Sequence, residues 1–183
     1  MLKKKGVSLK EIETKLTDFD EEKVKNTLEK RTIRISDHIQ KRWVFNINDG
    51  KEGIDEFVRI RTDGVKTTLA YKYRKGSGLT NTEEFETDIS DFDMAAIIFK
   101  KIIPNYYYQE NRRVTYKYRD AEITMDYWPM IAPIIEIEAP QENMINTVID
   151  ELDIIATNKG NVSMAKIYAE NGIDIHSYKE LKL

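Results

Sequence analysis

The chain contains no cysteine. A disulfide framework, thiolate catalysis and any Cys-ligated zinc or iron–sulfur centre are therefore excluded, and the absence fits a reducing interior. It has two histidines, His38 and His176, far apart in the sequence. A multi-histidine metal site cannot form, and a bound cation would have to be held by carboxylates, which favours hard ions such as Mg²⁺ or Mn²⁺. No stretch approaches the roughly 18 apolar residues of a membrane span, and no apolar run follows the basic start Met1-Leu2-Lys3-Lys4-Lys5-Gly6. The expectation is a cytoplasmic protein with no membrane partner. Walker A, GxSxG and GxGxxG sequences are missing, as are low-complexity tracts and repeats.

What is present is charge. There are 29 Lys plus Arg against 32 Asp plus Glu, a net −3, and a third of all residues are charged. With 40% hydrophobic and 10% aromatic residues, the 183-residue chain is too apolar for disorder and too charged for a membrane protein. One soluble domain over residues 1–183 is expected, burying roughly two thirds of its unfolded surface. A pI near 5.6 argues against a general nucleic-acid binder.

Hydrophobic periodicity predicts an α+β domain of about eight strands, three long helices and a short C-terminal one. Strand-like runs fall at Val7–Leu16, Thr32–Asn48 (one or two strands), Glu56–Thr62, Lys66–Lys75, Thr82–Thr87, Arg112–Arg119, Glu122–Tyr127 and Ile134–Ala139. Asp63-Gly64 reads as a hairpin turn. Asp18-Phe19-Asp20 caps a helix to about Lys30, and Ser90 with Asp93 resembles a capping box opening a helix that ends near Ile103. Pro140 starts a third helix, in which Met144, Ile145, Val148, Ile149, Leu152 and Ile155 recur at helical spacing.

The charges are arranged in pairs on single strand faces: Glu11/Glu13, Arg59/Arg61, Lys72/Arg74, Glu84/Glu86 and Glu136/Glu138. Like charges two residues apart on a strand lie about 6.7 Å from each other and repel by roughly 2.5 kcal/mol at an effective dielectric of 20. Water on one exposed face could absorb that. A solvated face would, however, mix signs with Ser, Thr, Asn and Gln, and here the pairs recur with one sign each. Residues 57–75 carry six basic side chains and one acidic, residues 82–93 six acidic and none basic. Such faces converging inside a closed sheet would hold divalent cations on the acidic strands and a polyanion on the basic ones; a triphosphate with Mg²⁺ satisfies both.

Glu11-Ile12-Glu13-Thr14-Lys15 resembles the ExExK signature of the CYTH superfamily, the triphosphate tunnel metalloenzymes, named for class IV adenylyl cyclase and thiamine triphosphatase. The matching order continues through Arg59-Ile60-Arg61, Lys72, Glu84 and Glu86, Arg113 with Tyr116, Asp126 and Glu136-Ile137-Glu138. It covers residues 9 to about 140, with Tyr168 and Gly172-Ile173-Asp174 similar to the tail of bacterial members. The resemblance implies an eight-stranded antiparallel tunnel with helices outside. It implies metal ligation (Mg²⁺ or Mn²⁺) by Glu11, Glu13, Asp126, Glu136 and Glu138. Phosphate grip and catalysis would fall to Lys15, Arg59, Arg61, Lys72 and Arg113, with Arg74 added by its shared face. Glu84 and Glu86 would orient basic residues or a second metal. A C-terminal basic residue is open between Lys159, Lys166 and His176.

Two departures stand out. The usual Gly-rich turn is replaced by residues 126–133, Asp126 to Pro133, so the specificity of characterised members does not transfer, and Asn111 stands where members often have Lys. The implied substrate is ATP, tripolyphosphate or thiamine triphosphate, with cyclisation and hydrolysis both open and the chain a monomer or homodimer. Non-catalytic binding of polyphosphate or nucleotide is the alternative from another class. Tyr106-Tyr107-Tyr108, Trp43 and His38 read as packing, surface or structural residues. Trp128, in the variant loop, reads as packing or as a contact to a substrate head group.

Overall fold

A computed structural model describes residues 12–49, 54–75 and 82–183. Ten strands and four helices follow in the order β1 Ile12–Thr17, α1 Glu21–Arg31, β2 Ile33–Asp49, β3 Ile54–Thr62, β4 Thr67–Lys75, β5 Thr82–Asp88, α2 Phe92–Ile102, β6 Tyr106–Tyr118, β7 Ala121–Tyr127, β8 Ile134–Ala139, α3 Glu142–Glu151, β9 Thr157–Gly160, α4 Met164–Glu170 and β10 Glu180–Leu181. The eight expected strands are β1 to β8; β9 and β10 are short additions. The sheet order is β5-β4-β3-β2-β6-β7-β8-β1-β9, with β10 running parallel to β6 and the other registered pairs antiparallel. Among the described residues, β5 and β9 end this order, so hydrogen bonds do not close it. No helix among the described residues is long and apolar enough to cross a membrane.

The chain forms two compact units. Among the described residues, the first holds those within 39–110 and 176–182, the second those within 12–38 and 111–175. In the second unit, alternation on β1, β6, β7 and β8 sends Leu16, Val114, Tyr116, Ile123, Met125, Ile135 and Ile137 to one face. There Val24 and Leu28 of α1 and Ile145 and Val148 of α3 cover them. In the first, Phe45, Val58 and Ile60 meet Ala96, Phe92 and Phe99 of α2.

Local chemistry explains several boundaries. Asp20 caps α1 by accepting from the Lys23 amide, as expected. In α2 the cap is Asp91, which accepts from the Met94 amide at 2.8 Å, so the Ser90–Asp93 capping box does not form. Asp63 Oδ1 accepts from the amides of Val65 and Lys66, and Gly64 takes φ +87°, completing the β3–β4 turn. α3 begins at Glu142 behind Gln141, two residues past Pro140, and stops at Glu151. Ile155 is therefore 72% exposed, and Ile154 takes the core position instead. Tyr106-Tyr107-Tyr108 opens β6, with Tyr106 and Tyr108 packed on Trp43.

Candidate functional site

Opposite the apolar face of the second unit lies a polar one, because every other residue of the same strands points there. Strand register sorts it into rows. Lys117 of β6 lies opposite Glu122 of β7, Glu122 opposite Glu138 of β8, and Glu138 opposite Glu13 of β1. One step along, Thr115, Thr124, Glu136 and Lys15 stand abreast in the same way. Arg113 lies opposite Asp126 in the next row.

Two cations, buried Lys15 and half-buried Arg113, share these carboxylates. Lys15 Nζ lies 3.0 Å from Glu13 Oε1 and 3.1 Å from Glu136 Oε2. Arg113 clamps Asp126 through Nε at 2.7 Å and Nη2 at 2.5 Å, and reaches Glu136 at 3.4 Å. Asn111 donates to the same Asp126 carboxylate at 2.8 Å, so the position where Lys is usual supplies a neutral donor. Burial alone would lower the pKa of Lys15, but Glu136 and Glu13 more than reverse this and raise it. Arg113 behaves likewise, with Asp126 and Glu136 outweighing burial.

The first unit carries the other polar face. Arg59 Nη2 lies 3.2 Å from both Glu84 Oε1 and Glu86 Oε2, Arg61 lies 3.6 Å from Glu86, and Lys72 lies 2.6 Å from Glu84. Glu84 and Glu86 thus pair with all three basic side chains. Burial would raise the Glu84 pKa, but Lys72 and Arg59 overcome it and hold the carboxylate below its ordinary value. Arg74 is in β4 opposite Asp55. Its side chain, and Glu11 altogether, lie outside the described residues.

The pH dependence of stability follows from these shifts. Glu84 has a lowered folded pKa, so its contribution is present above the ordinary 4.5 and is lost as pH falls through the folded value. Lys15 has a raised folded pKa, so its contribution is present below the ordinary 10.5 and is lost as pH rises through the folded value. Urea midpoints measured across pH should fall on both limbs, and Glu84→Gln should flatten the acid one. An unchanged acid slope in that variant would refute the assignment.

Register also reveals two residues that sequence reasoning did not assign. Glu122 joins Glu138 and Glu13 in one row, and buried Arg42 of β2 lies directly opposite Arg61. The signal for Glu122 was its place on the face shared with Thr124 and Asp126. Arg42 could have been found only by pairing β2 with β3.

Lys159 pairs with Glu170 at 2.8 Å, Lys166 is exposed on α4, and His176 meets the Tyr107 ring edge-on at 6.1 Å. Trp128 is buried edge-on against Tyr168, whose hydroxyl donates to the Pro129 carbonyl at 2.8 Å.

The donor chemistry of the second unit fits a hard cation, since oxygen ligands alone are offered. Among the described residues, however, no three acidic or imidazole side chains are gathered into a cage. Glu13, Glu136 and Asp126 are instead neutralised by Lys15 and Arg113.

No protein-family model and no curated protein sequence matches the chain. Solved structures do. The PH1819 protein of Pyrococcus horikoshii is 16% identical with a TM-score of 0.68, over 88% of this chain and 99% of that one. A candidate adenylate cyclase of Vibrio parahaemolyticus is 14% identical with a TM-score of 0.61, over 87% and 97%. A Hippeastrum protein, a candidate adenylyl cyclase with a dominant triphosphatase activity, is 14% identical with a TM-score of 0.58, over 92% and 99%. The chain shares the fold of these three proteins. On this fold the polar sheet faces of the two units carry nearly every described residue that the sequence resemblance singled out.

Proposed function

We propose that the chain is a divalent-metal-dependent enzyme acting on a triphosphate. Hydrolysis is the reading placed first and class IV adenylyl cyclase-type cyclisation the second, both supported by what is said of the Vibrio and Hippeastrum proteins. The observation that carries the proposal is the sorting of charge by sheet face. In the first unit Arg42, Arg59, Arg61 and Lys72 outnumber Glu84 and Glu86, and in the second Glu13, Glu122, Glu136, Glu138 and Asp126 outnumber Lys15, Arg113 and Lys117. The setting proposed is the cytoplasm, which suits a chain without cysteine.

Arg59 and Arg61 present planar forks that match phosphate oxygens, and Lys72 adds a point charge. Each is held in position by Glu84 or Glu86 before a ligand arrives, which reduces the ordering cost of binding. Lys15 and Arg113 have a second role. A phosphate drawing them away from Glu13, Glu136 and Asp126 would release those carboxylates, so triphosphate and cation should bind cooperatively. Glu13, Asp126, Glu136 and Glu138 would hold Mg²⁺ or Mn²⁺, with Glu11 added by the resemblance. The ion, once bound, supplies Lewis-acid stabilisation of charge developing on the phosphoryl oxygens. Arg59, Arg61 and Lys72 in the first unit, and Lys15 and Arg113 in the second, would each stabilise negative charge on phosphate oxygens electrostatically.

Incubation with tripolyphosphate, ATP and thiamine triphosphate, each with Mg²⁺ or Mn²⁺, tests the proposal. Orthophosphate release supports hydrolysis, and cyclic AMP with pyrophosphate supports cyclisation. Tight binding with no product from any of the three would overturn the enzymatic reading.

A further inference from the structure

Helix α2 is apolar on two faces. Phe92, Ala95, Ala96 and Phe99 point into the core of the first unit. Met94, Ile97 and Ile98 point away and are 53%, 51% and 50% exposed, with Ile102 beside them at 66%. Their spacing is that of a helix stripe that is normally buried. Helix α1 shows what an ordinary solvent face looks like in the same protein: Glu22, Lys25, Asn26, Glu29 and Lys30 are exposed there, and none is apolar. An apolar patch of this kind with a polar rim marks an interaction surface.

The ends of α2 carry opposite charge. Asp91 and Asp93 lie at its N-terminus, Lys100 and Lys101 in its last turn. We propose that this face is the interface between two copies of the chain, α2 packing antiparallel on α2 about a two-fold axis. Centring the axis between Ile97 and Ile98 sets Ile97 of one copy against Ile98 of the other. It also brings Met94 against the stem of Lys101, whose ammonium then reaches Asp93. Two-fold symmetry makes each contact twice. A parallel arrangement would bring like charges together, and an anionic membrane would be repelled by the acidic end. Lys100 is already engaged, its ammonium 3.3 Å from the Trp43 ring centre, so Lys101 carries the pairing. The helix spans only about 16 Å. The face is thus smaller than the roughly 800 Å² per partner of a standard interface, and the dimer is reversible and concentration-dependent.

Sedimentation of the full chain over a concentration series tests this. The mass should rise from 21.5 kDa towards twice that value. Ile97→Glu combined with Ile98→Glu should hold the protein at the monomer mass throughout, with an unchanged circular dichroism spectrum showing that it folds. Asp93→Lys and Lys101→Asp should each weaken the dimer about fivefold or more, because symmetry breaks the pair twice, and the double swap should restore it. A wild-type monomer at every concentration overturns the proposal. So does a dimer that the two glutamates leave intact, or a double swap no better than either single reversal.

Discussion

Glu138→Gln is expected to reduce metal-dependent turnover of tripolyphosphate roughly 10²- to 10³-fold and to diminish the stabilisation that Mg²⁺ or Mn²⁺ confers. Glu138 lies opposite Glu13 on one side and Glu122 on the other. Directly opposed side chains in an antiparallel pair have Cβ atoms about 4.5–5.5 Å apart, and like charges there are destabilising by some tenths of a kcal/mol to about 1 kcal/mol. Gln keeps the shape and removes one of the three charges. A structural role for Glu138 predicts a lower melting temperature without metal. A ligand role predicts a smaller rise when Mg²⁺ or Mn²⁺ is added. The two measurements are independent of catalysis, so loss of turnover with an unaltered metal-induced shift would remove Glu138 from the ligand set.

Asp126→Ala should destabilise the fold by about 3–5 kcal/mol, the largest stability effect expected on either polar face. Asp126 is 3% exposed and receives Arg113 through two nitrogens, with Asn111 as a further donor. Removing it takes both short contacts from the half-buried Arg113 guanidinium and leaves Glu136 at 3.4 Å. Replacing Arg113 by Met strands the carboxylate in the same way. The double variant Asp126→Ala with Arg113→Met should then lose less than the sum of the two, by about 2 kcal/mol, in urea denaturation at constant m. Strict additivity would mean that the pair is not energetically coupled in solution.

Much of this was legible in one dimension. A run such as Glu136-Ile137-Glu138 alternates with period two, and that pattern states which side chains share a face before any partner strand is known. The hairpin at Asp63-Gly64 and the cap at Asp20 were readable for the same reason, being satisfied by bonds within three residues. Failures came where a competing local group was equally good. Ser90 and Asp91 can both cap α2, and the aspartate did so. Ile155 fits the helical period of α3, but the helix ends before reaching it. The three tyrosines after α2 could have been a loop, and they became a strand because Trp43 offers them an aromatic surface.

What the sequence alone determined is the segregation of charge and its assignment to strand faces, since both depend on spacing along the backbone. Tertiary structure decided which faces stand side by side. Register placed Glu122 in the carboxylate row and Arg42 beside Arg61, and no periodicity encodes the offset between strands distant in the chain. It also decided that Lys15 and Arg113 occupy the carboxylates, because close pairing is the arrangement that makes burying those charges tolerable. The exposed stripe on α2 has the same origin. Its two apolar faces are plain in the sequence, but only packing against Phe45, Val58 and Ile60 shows which one is left for a second copy.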